Sequence, residues 1–454
     1  MVLRFLHLSD IHFGQEKDGT LITHEFVRDE LVKDAKKLAN HRGPASRVIV
    51  TGDVAYSGKP DQYDQATAWL EKVTSACGLG DTHVSTIPGN HDCDLAAISN
   101  QAKMIQAKFR ANDAEQVRAD LHGIYQDGEA ANPFLPKLQQ YRTFARGYGC
   151  DFESHNRPFW VKYFDLPRGV RLKLIGLTSV QVSDLTDREG NIILGNGQYT
   201  IAEEDNVINV VLVHHPLNWF IDKHAAQDHL HNNARIIMVG HEHLLNIQKT
   251  SDALSGKEWL VIYAGATNPP DKGYSYQYNW LEFSCAEKDQ KPYLVVEVFP
   301  RIWVQQKVQF DADRARLGDA GDSVTIEIAC PHLYFIAEEQ RSTSTGTAAE
   351  ENASTPAASV AQVDSGVNMS NDNGFDRLRY LFWRYLDWRQ RLQVLVQVDA
   401  LPKTADEPLP QTMERIALET AAKDGSKLFE LWEAVMPLIP EPKRGPNPFV
   451  PKNS

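Results

Sequence analysis

Apolar residues along this chain fall into short runs, each closed by a polar or glycine-rich corner. The first run, 2–8 (VLRFLHL), ends at Ser9-Asp10 and reads as a buried strand. Over 22–41 the residues Phe26, Leu31, Val32, Ala35 and Leu38 follow helical spacing. A second strand at 47–51 (RVIVT), a helix over 61–77 and a third strand at 82–88 (THVSTIP) come next. Strands alternating with helices predict an α/β sheet, where ligands collect beyond the carboxyl ends of strands. From 93 to 157 the rhythm changes to helical segments (98–110, 114–125, 135–144) with no strand of comparable strength. We read that region as a helical insertion able to cap a site; plain connecting helices are the alternative. Strands resume at 170–177, 207–213, 234–239 and 259–264. A β-rich stretch from about 280 to 335, with runs at 293–299, 302–309 and 323–329, completes a second sheet.

The pattern breaks again at 338–374. Ser, Thr, Ala, Glu and Pro replace the large apolar residues there, so burial cannot offset ordering entropy, and the segment reads as a flexible linker. Helical periodicity returns at Leu378, Leu381, Phe382, Tyr385 and Leu386, continues through Leu392, Leu395 and Val396, and recurs over 413–422 and 428–435. This predicts a small all-α domain over 375–440, followed by an irregular Pro-rich tail at 441–454. The domain reading is therefore 1–337, linker 338–374, helical module 375–440 and tail.

Composition narrows the class. The chain has 454 residues, 42% hydrophobic and 24% charged, a balance that can bury a real core. A net charge of -13 opposes non-specific docking on nucleic acid or anionic membrane. The five cysteines lack paired or CxxC spacing and read as reduced thiols, with Cys93 near a motif but not assigned to it. The N-terminal apolar run is short for a signal peptide, and no run is long enough to span a bilayer. The expectation is a cytoplasmic protein with no membrane contact.

Five motifs close five of the predicted strands: Asp10-Ile11-His12, Gly52-Asp53, Gly89-Asn90-His91-Asp92, His214-His215 and Gly240-His241-Glu242-His243. Together they place two Asp, one Asn and four His where they can meet at one end of a sheet and hold two divalent ions. Imidazoles mixed with oxygen donors suit Mn, Fe or Zn better than Ca or Mg. Asp10 and His12, two apart, project to one side of an extended segment, and His241 and His243 repeat that spacing. Gly52 and Gly240 allow close backbone approach. Asn90 adds a neutral oxygen, and His91 beside it is placed to reach a leaving group. A paired metal site of this kind names a reaction, metal-assisted hydrolysis of a phosphate ester.

On these residues the chain resembles the calcineurin-like metallophosphoesterases, whose pattern is D-x-H, G-D, G-N-H-[DE], H and G-H-x-H. The likeness covers about residues 1–310 and implies a double β-sheet sandwich flanked by helices. It implies that Asp10, His12 and His243 hold one metal, that Asn90, His214 and His241 hold the other, and that Asp53 bridges. It further implies that His91 protonates the leaving oxygen and that Asp92 orients it. Strand alternation would send the adjacent His214 and His215 to opposite sides, so His215 is left as a support behind the ligands or a substrate contact, and His24 and Tyr56 lie near motif loops. Substrates known for the family suggest a phosphodiester, nucleotide or cyclic nucleotide. A nuclease, possible effector of a bacterial conflict system, is the second reading, with Lys103, Lys108, Arg110, Arg118, Lys137, Arg142 and Arg146 as bases for a nucleic-acid groove or as a solvated face. A non-catalytic nucleotide-binding scaffold is the third. The 375–440 region loosely resembles bacterial effector-associated adaptor domains, which implies a protein partner. Its Trp383, Trp388 and Trp432 either fill a small core or present an interface.

Overall fold

Parallel pairing of short, wholly apolar strands sets the frame. A computed structural model describes residues 2–16, 21–269, 274–318, 321–335, 369–402 and 407–449. The chain divides into two units, Met1–Tyr334 and Phe335–Ser454. In the first unit the strands are β1 (Leu3–Leu8), β2 (Arg47–Val50), β3 (Val84–Thr86), β4 (Phe159–Asp165), β5 (Arg171–Leu177), β6 (Val207–Val213) and β7 (Ile236–Val239). They continue with β8 (Leu245–Ser251), β9 (Glu258–Ala264), β10 (Gln277–Lys288), β11 (Lys291–Val304), β12 (Gln309–Ala312) and β13 (Val324–Ala329). Its helices are α1 (Leu21–Arg42), α2 (Pro60–Ala76), α3 (Asn100–Ala111), α4 (Ala114–Gln126), α5 (Gln139–Gly147), the single turn α6 (Asn196–Tyr199), α7 (Lys223–Asn233) and the single turn α8 (Arg314–Leu317).

Two mixed sheets form from these strands. One has seven strands in the order β12-β11-β10-β1-β2-β3, with β13 also on β11; the other has six, β4-β5-β6-β7-β9-β8. Within them β1, β2 and β3 run parallel, as do β5, β6, β7 and β9. The sheets pack on each other: Phe5 meets Phe164 edge-on at 5.4 Å, and the Trp160 indole donates to the Thr86 carbonyl at 2.9 Å. The expected double-sheet sandwich is therefore the observed one. On the second sheet α3, α4 and α7 bury Phe109, Val117, Leu121 and Leu230 against Ile175, Val211 and Ile237. Each such side chain contributes on the order of 1.5–3 kcal/mol, so α3 and α4 are an integral layer of this sheet.

Several elements differ from expectation. The third strand shrinks to three residues because Ile87-Pro88 already turns into the next motif. The runs at 293–299 and 302–309 merge in one long strand, β11, and a separate short β12 follows. Three further elements, β4, α7 and β8, lie outside the predicted ones; β8 is an edge strand whose last four residues are exposed.

The second unit contains α9 (Met369–Tyr385), α10 (Trp388–Gln397), α11 (Gln411–Ala422) and α12 (Gly425–Val435). Asp387 ends the first periodic stretch, because its side chain caps α10 by accepting from the Gln390 N–H. Of the segment 338–374, residues 338–368 lie outside the described residues, and 369–374 belong to α9. Trp383 and Trp432 are buried, as are Leu378, Leu381, Leu395 and Leu431, whereas Trp388 is half-buried under the Arg389 guanidinium. Phe449, in the tail, packs back against Trp432.

Candidate metal centre

All five motifs leave the carboxyl ends of strands, those of β1, β2, β3, β6 and β7. The two sheets meet there: His214, after β6, donates through Nδ1 to the carbonyl of Thr51, after β2, at 2.8 Å. The chain at these corners is not extended, which corrects the same-side argument for Asp10 with His12 and for His241 with His243. Asp10, His12, Asp53, His241 and His243 all have φ between 51° and 67°. Left-handed backbone is costly for residues with a Cβ, about 1–3 kcal/mol each, and persists where packing over-determines it. The left-handed corners, not strand alternation, turn these side chains toward one point. Gly52 has φ 99°, and a Cβ on it would lie 2.4 Å from His214 Nδ1; one on Gly240 would lie 2.3 Å from Ser9 Oγ.

The convergence is tight. Donor atoms of Asp10, His12 and His243 lie within 4.8 Å of one another, as do those of Asp10, Asp53 and His214. Asp53 Oδ2 stands 3.1 Å from His12 Nε2 and 3.4 Å from His214 Nε2. Asn90 Oδ1 stands 3.1 Å from both His214 Nε2 and His241 Nδ1. His243 Nε2 is 3.2 Å from Asp10 Oδ1. Asp10, His12, Asp53 and His214 are buried to 1% exposure or less.

The donor chemistry fits cations. A backbone carbonyl accepts only, so His214 Nδ1 must carry its proton toward Thr51, and His12 Nδ1 carries its proton toward the Asn268 carbonyl at 3.3 Å. In the neutral rings the Nε2 lone pairs then point at carboxylate and amide oxygens, lone pair against lone pair. A positive charge between them resolves the clash, and imidazoles anchored through their other nitrogen are the usual metal-binding arrangement. Asp10 Oδ1 is buried without a satisfying hydrogen bond despite His243 nearby. No helix among the described residues is long and apolar enough to cross a membrane.

Electrostatics point the same way. Burial works to neutralise Asp53, but the neighbouring His214 and His91 hold its carboxyl well below the usual range. Burial likewise acts against a charged His214, yet Asp53 lifts that imidazole to about 9. His241 is driven down to about 3 by burial and then by the charge of His214. Asp53 is thus held as an anion that draws positive charge onto its neighbours.

His91 and Asp92 part company. The His91 ring donates from Nδ1 to the Tyr56 carbonyl at 2.9 Å and stacks on the Tyr56 ring at 5.0 Å, while its backbone N–H donates to Asp53 Oδ1. Asp92 is not the orienting partner expected for it. Its carboxylate accepts from the N–H groups of Val54, Ala55 and Gly89 and from the Tyr63 hydroxyl, at 2.9–3.2 Å. Those bonds tie the Gly89–Asp92 turn to the Asp53 loop and point the carboxylate into the protein. Burial, then the charge of Asp53, pushes Asp92 up to about 7.

His215 does not turn away from the cluster as alternation implied. It is fully buried, its Nδ1 pairs with Ser179 Oγ at 2.9 Å, and its ring lies 4.5 Å from that of His241. A cavity of about 500 Å³ opens beside Asn90, His91 and His241, with Tyr56, Leu185 and Trp219 on its wall. His24 is outside that wall, bonded to the Tyr276 hydroxyl at 2.8 Å. Cys93 lines the cavity, but its thiol faces the Val180 carbonyl, and burial pushes it up to about 12. All five cysteines are free.

The basic residues of 93–157 form no open stripe. Lys137, Arg142 and Arg146 are buried, the first on the Ser183 carbonyl and the others on Asp151. Arg110 is held by Asp184 and Asp187, and Lys108 by Asp120. Sequence reasoning missed Trp219 and the Asn268 carbonyl. An aromatic residue five positions beyond His214 was a usable signal; a backbone acceptor from a distant loop leaves none.

Residues 3–245 match the model of the calcineurin-like phosphoesterase family, and residues 374–437 match that of the GTPase-associated adaptor domain. The uncharacterized metallophosphoesterase-like protein YydB of Bacillus subtilis (strain 168) is 22% identical over 278 residues, 59% of this chain and 54% of that one. The chain thus spans about half the length of that curated relative. Among solved structures, a candidate 5'-nucleotidase of Staphylococcus aureus is 13% identical over 64% of this chain and 52% of its own, with a TM-score of 0.34. Vps29 of Entamoeba histolytica with Zn is 10% identical over 72% of this chain and 99% of its own, with a TM-score of 0.24. The match to the first family model takes in more than half of the chain and every one of the five strand-end motifs, so this chain belongs to the calcineurin-like phosphoesterases.

Proposed function

We propose that the chain is a dinuclear metal-dependent phosphodiesterase acting on a nucleotide or cyclic nucleotide, with the 375–440 region as its recruitment domain. The observation that carries this reading is the facing of His12 Nε2 and His214 Nε2 onto one oxygen, Asp53 Oδ2. Asp10, His12 and His243 would hold one divalent ion and Asn90, His214 and His241 the other, with Asp53 as a shared ligand. Mn, Fe and Zn suit that donor set. Such an ion pair, when bound, neutralises phosphate oxygens and supplies a nucleophilic water near neutral pH.

The protein's own contribution is alignment and a proton. With Nδ1 committed to the Tyr56 carbonyl, His91 offers Nε2 to the substrate. A water gives up a proton to solvent and bonds its oxygen to phosphorus, the ester P–O bond breaks, and the His91 imidazolium, reprotonated from solvent after each turnover, gives its Nε2 proton to the departing oxygen. The neutral ring keeps its Nδ1 bond and so stays in place. His215 presses on the His241 ring and holds its orientation.

The match to an adaptor-domain model supports a protein partner for the C-terminal unit. Purified chain with Mn should hydrolyse bis-p-nitrophenyl phosphate faster than p-nitrophenyl phosphate, and Asp53→Ala should abolish both rates. Turnover that survives Asp53→Ala would refute this function.

A further inference from the structure

The cavity beside His91 and His241 has a composition that bears on the substrate of the phosphodiesterase proposed above. Its volume, about 500 Å³, lies in the range of small-molecule sites. Away from the ligand residues its wall is aromatic and aliphatic. The half-buried Trp219 sets its ring 4.3 Å from that of His241, and Leu185 stands at the rim with 88% of its surface exposed.

Charge on that wall is unusual for an enzyme handling phosphates. Lys59 is the one lysine or arginine in the lining among the described residues, and its Nζ is held 2.7 Å from Asp94 Oδ1. Asp94, Asp184 and Asp187 also line the cavity, the last two braced from behind by Arg110. Sites that grip several phosphates supply several Arg or Lys side chains. Sites for single strands run a basic groove along the backbone. Here a second phosphate group would lie against carboxylates, with no free cation among the described lining residues to neutralise it. One reacting phosphate is all that the metal ligands and this wall provide for.

We infer that the substrate is a small phosphodiester with a single negative charge and one flat ring system, of the cyclic nucleoside monophosphate class, with its ring seated on Trp219 and Leu185. This assignment rests on the phosphodiesterase activity proposed for the metal centre. Trp219 is then the specificity-determining residue. Loss of base stacking on an aromatic side chain costs roughly 1–3 kcal/mol, so removal of the indole corresponds to about a 5- to 150-fold higher KM.

The test uses the full chain with Mn. Values of kcat/KM are measured for 3',5'- and 2',3'-cyclic AMP, ATP and a ten-nucleotide oligothymidylate, with bis-p-nitrophenyl phosphate as control. At least one cyclic isomer should exceed ATP and the oligonucleotide by tenfold or more. Trp219→Ala should raise KM for that isomer about tenfold with kcat largely kept, and Trp219→Phe should restore most of the loss. Asp94→Asn should narrow the gap to ATP. Turnover of bis-p-nitrophenyl phosphate combined with ATP or oligonucleotide hydrolysis as efficient as that of both cyclic isomers would overturn the inference. An unchanged KM in Trp219→Ala would do the same. No turnover of any substrate, the control included, would remove the phosphodiesterase reading and this inference with it.

Discussion

His91 Nδ1 donates to the Tyr56 carbonyl at 2.9 Å, and the Tyr56 ring lies on the same imidazole, tilted by only 17°. One residue therefore orients the ring twice, through a backbone atom that mutation cannot delete and through a side chain that it can. His91→Ala should lower kcat by about 10²–10⁴ on a substrate with an alkoxide leaving group. The loss should be much smaller on bis-p-nitrophenyl phosphate, whose leaving group departs without a proton. Tyr56→Ala keeps the carbonyl, so its kcat should fall only several-fold, again mainly with the alkoxide. Equal losses on both leaving groups in His91→Ala would refute the acid role.

Asp92 has a structural task. Three backbone N–H groups and the Tyr63 hydroxyl converge on its fully buried carboxylate. Asn in its place turns an amide N–H₂ toward one or more of those donors. A buried donor left facing another donor costs about 1–3 kcal/mol. Asp92→Asn should destabilise the first unit by about 2–4 kcal/mol in urea unfolding. Tyr63→Phe removes one donor alone and should cost about 1 kcal/mol. A neutral Asp92→Asn would show that the turn is held by something else.

The five motifs were legible because each stands at the end of a short apolar strand, and those ends could be read at Leu8, Val50, Val213 and Val239. The direction of the side chains was not legible in the same way. Strand alternation gave the right partners for Asp10 and His12 for the wrong reason, since both have left-handed backbone fixed by bonds from Asp10 N to the Gly52 carbonyl and from His12 N to the Asp53 carbonyl. It misplaced His215, and the family resemblance put Asp92 beside His91 when the turn sends it inward. Lys137, Arg142 and Arg146 looked like surface charge because periodicity does not register a buried acceptor such as Asp151, supplied from outside their own helix. What sequence lacks here is the partner: each error concerns a contact made across the chain.

Glu282 joins three segments of the first unit through charge. On β10, it accepts from Arg4 on β1 at 3.3 Å and from Arg42 at the end of α1 at 2.7 Å. Partial burial acts to raise its carboxyl, but the Arg42 and Arg4 guanidiniums and the Trp280 indole hold it below the ordinary value. A depressed carboxyl stabilises the fold above its unfolded-state pKa of about 4.3, and that stability disappears as pH falls through the folded value. Glu282→Gln should therefore cost about 1 kcal/mol at pH 7 after allowance for solvent screening. The deficit should close when unfolding is measured below about pH 4. A difference that stays constant from pH 7 to pH 3 would exclude the charge as its source.

In the second unit a buried ion pair stitches α10 to α11. Arg391 Nε donates to Glu414 Oε2 at 2.9 Å, Arg391 Nη1 donates to the Leu386 carbonyl, and the guanidinium lies 4.9 Å from the Trp383 ring. Glu414 is 1% exposed, so its removal strands a positive charge that water cannot reach. Breaking such a pair on one side costs about 3–5 kcal/mol, a large share of what a small helical unit possesses. Glu414→Gln should bring forward the unfolding of Phe335–Ser454 as a separate low-temperature transition in calorimetry. Hydrolysis of bis-p-nitrophenyl phosphate should persist above that transition, because every proposed ligand belongs to Met1–Tyr334. Replacing both partners, Arg391→Met with Glu414→Leu, should recover most of the lost stability. Activity that fell in step with the first transition would show that the catalytic unit depends on the helical one.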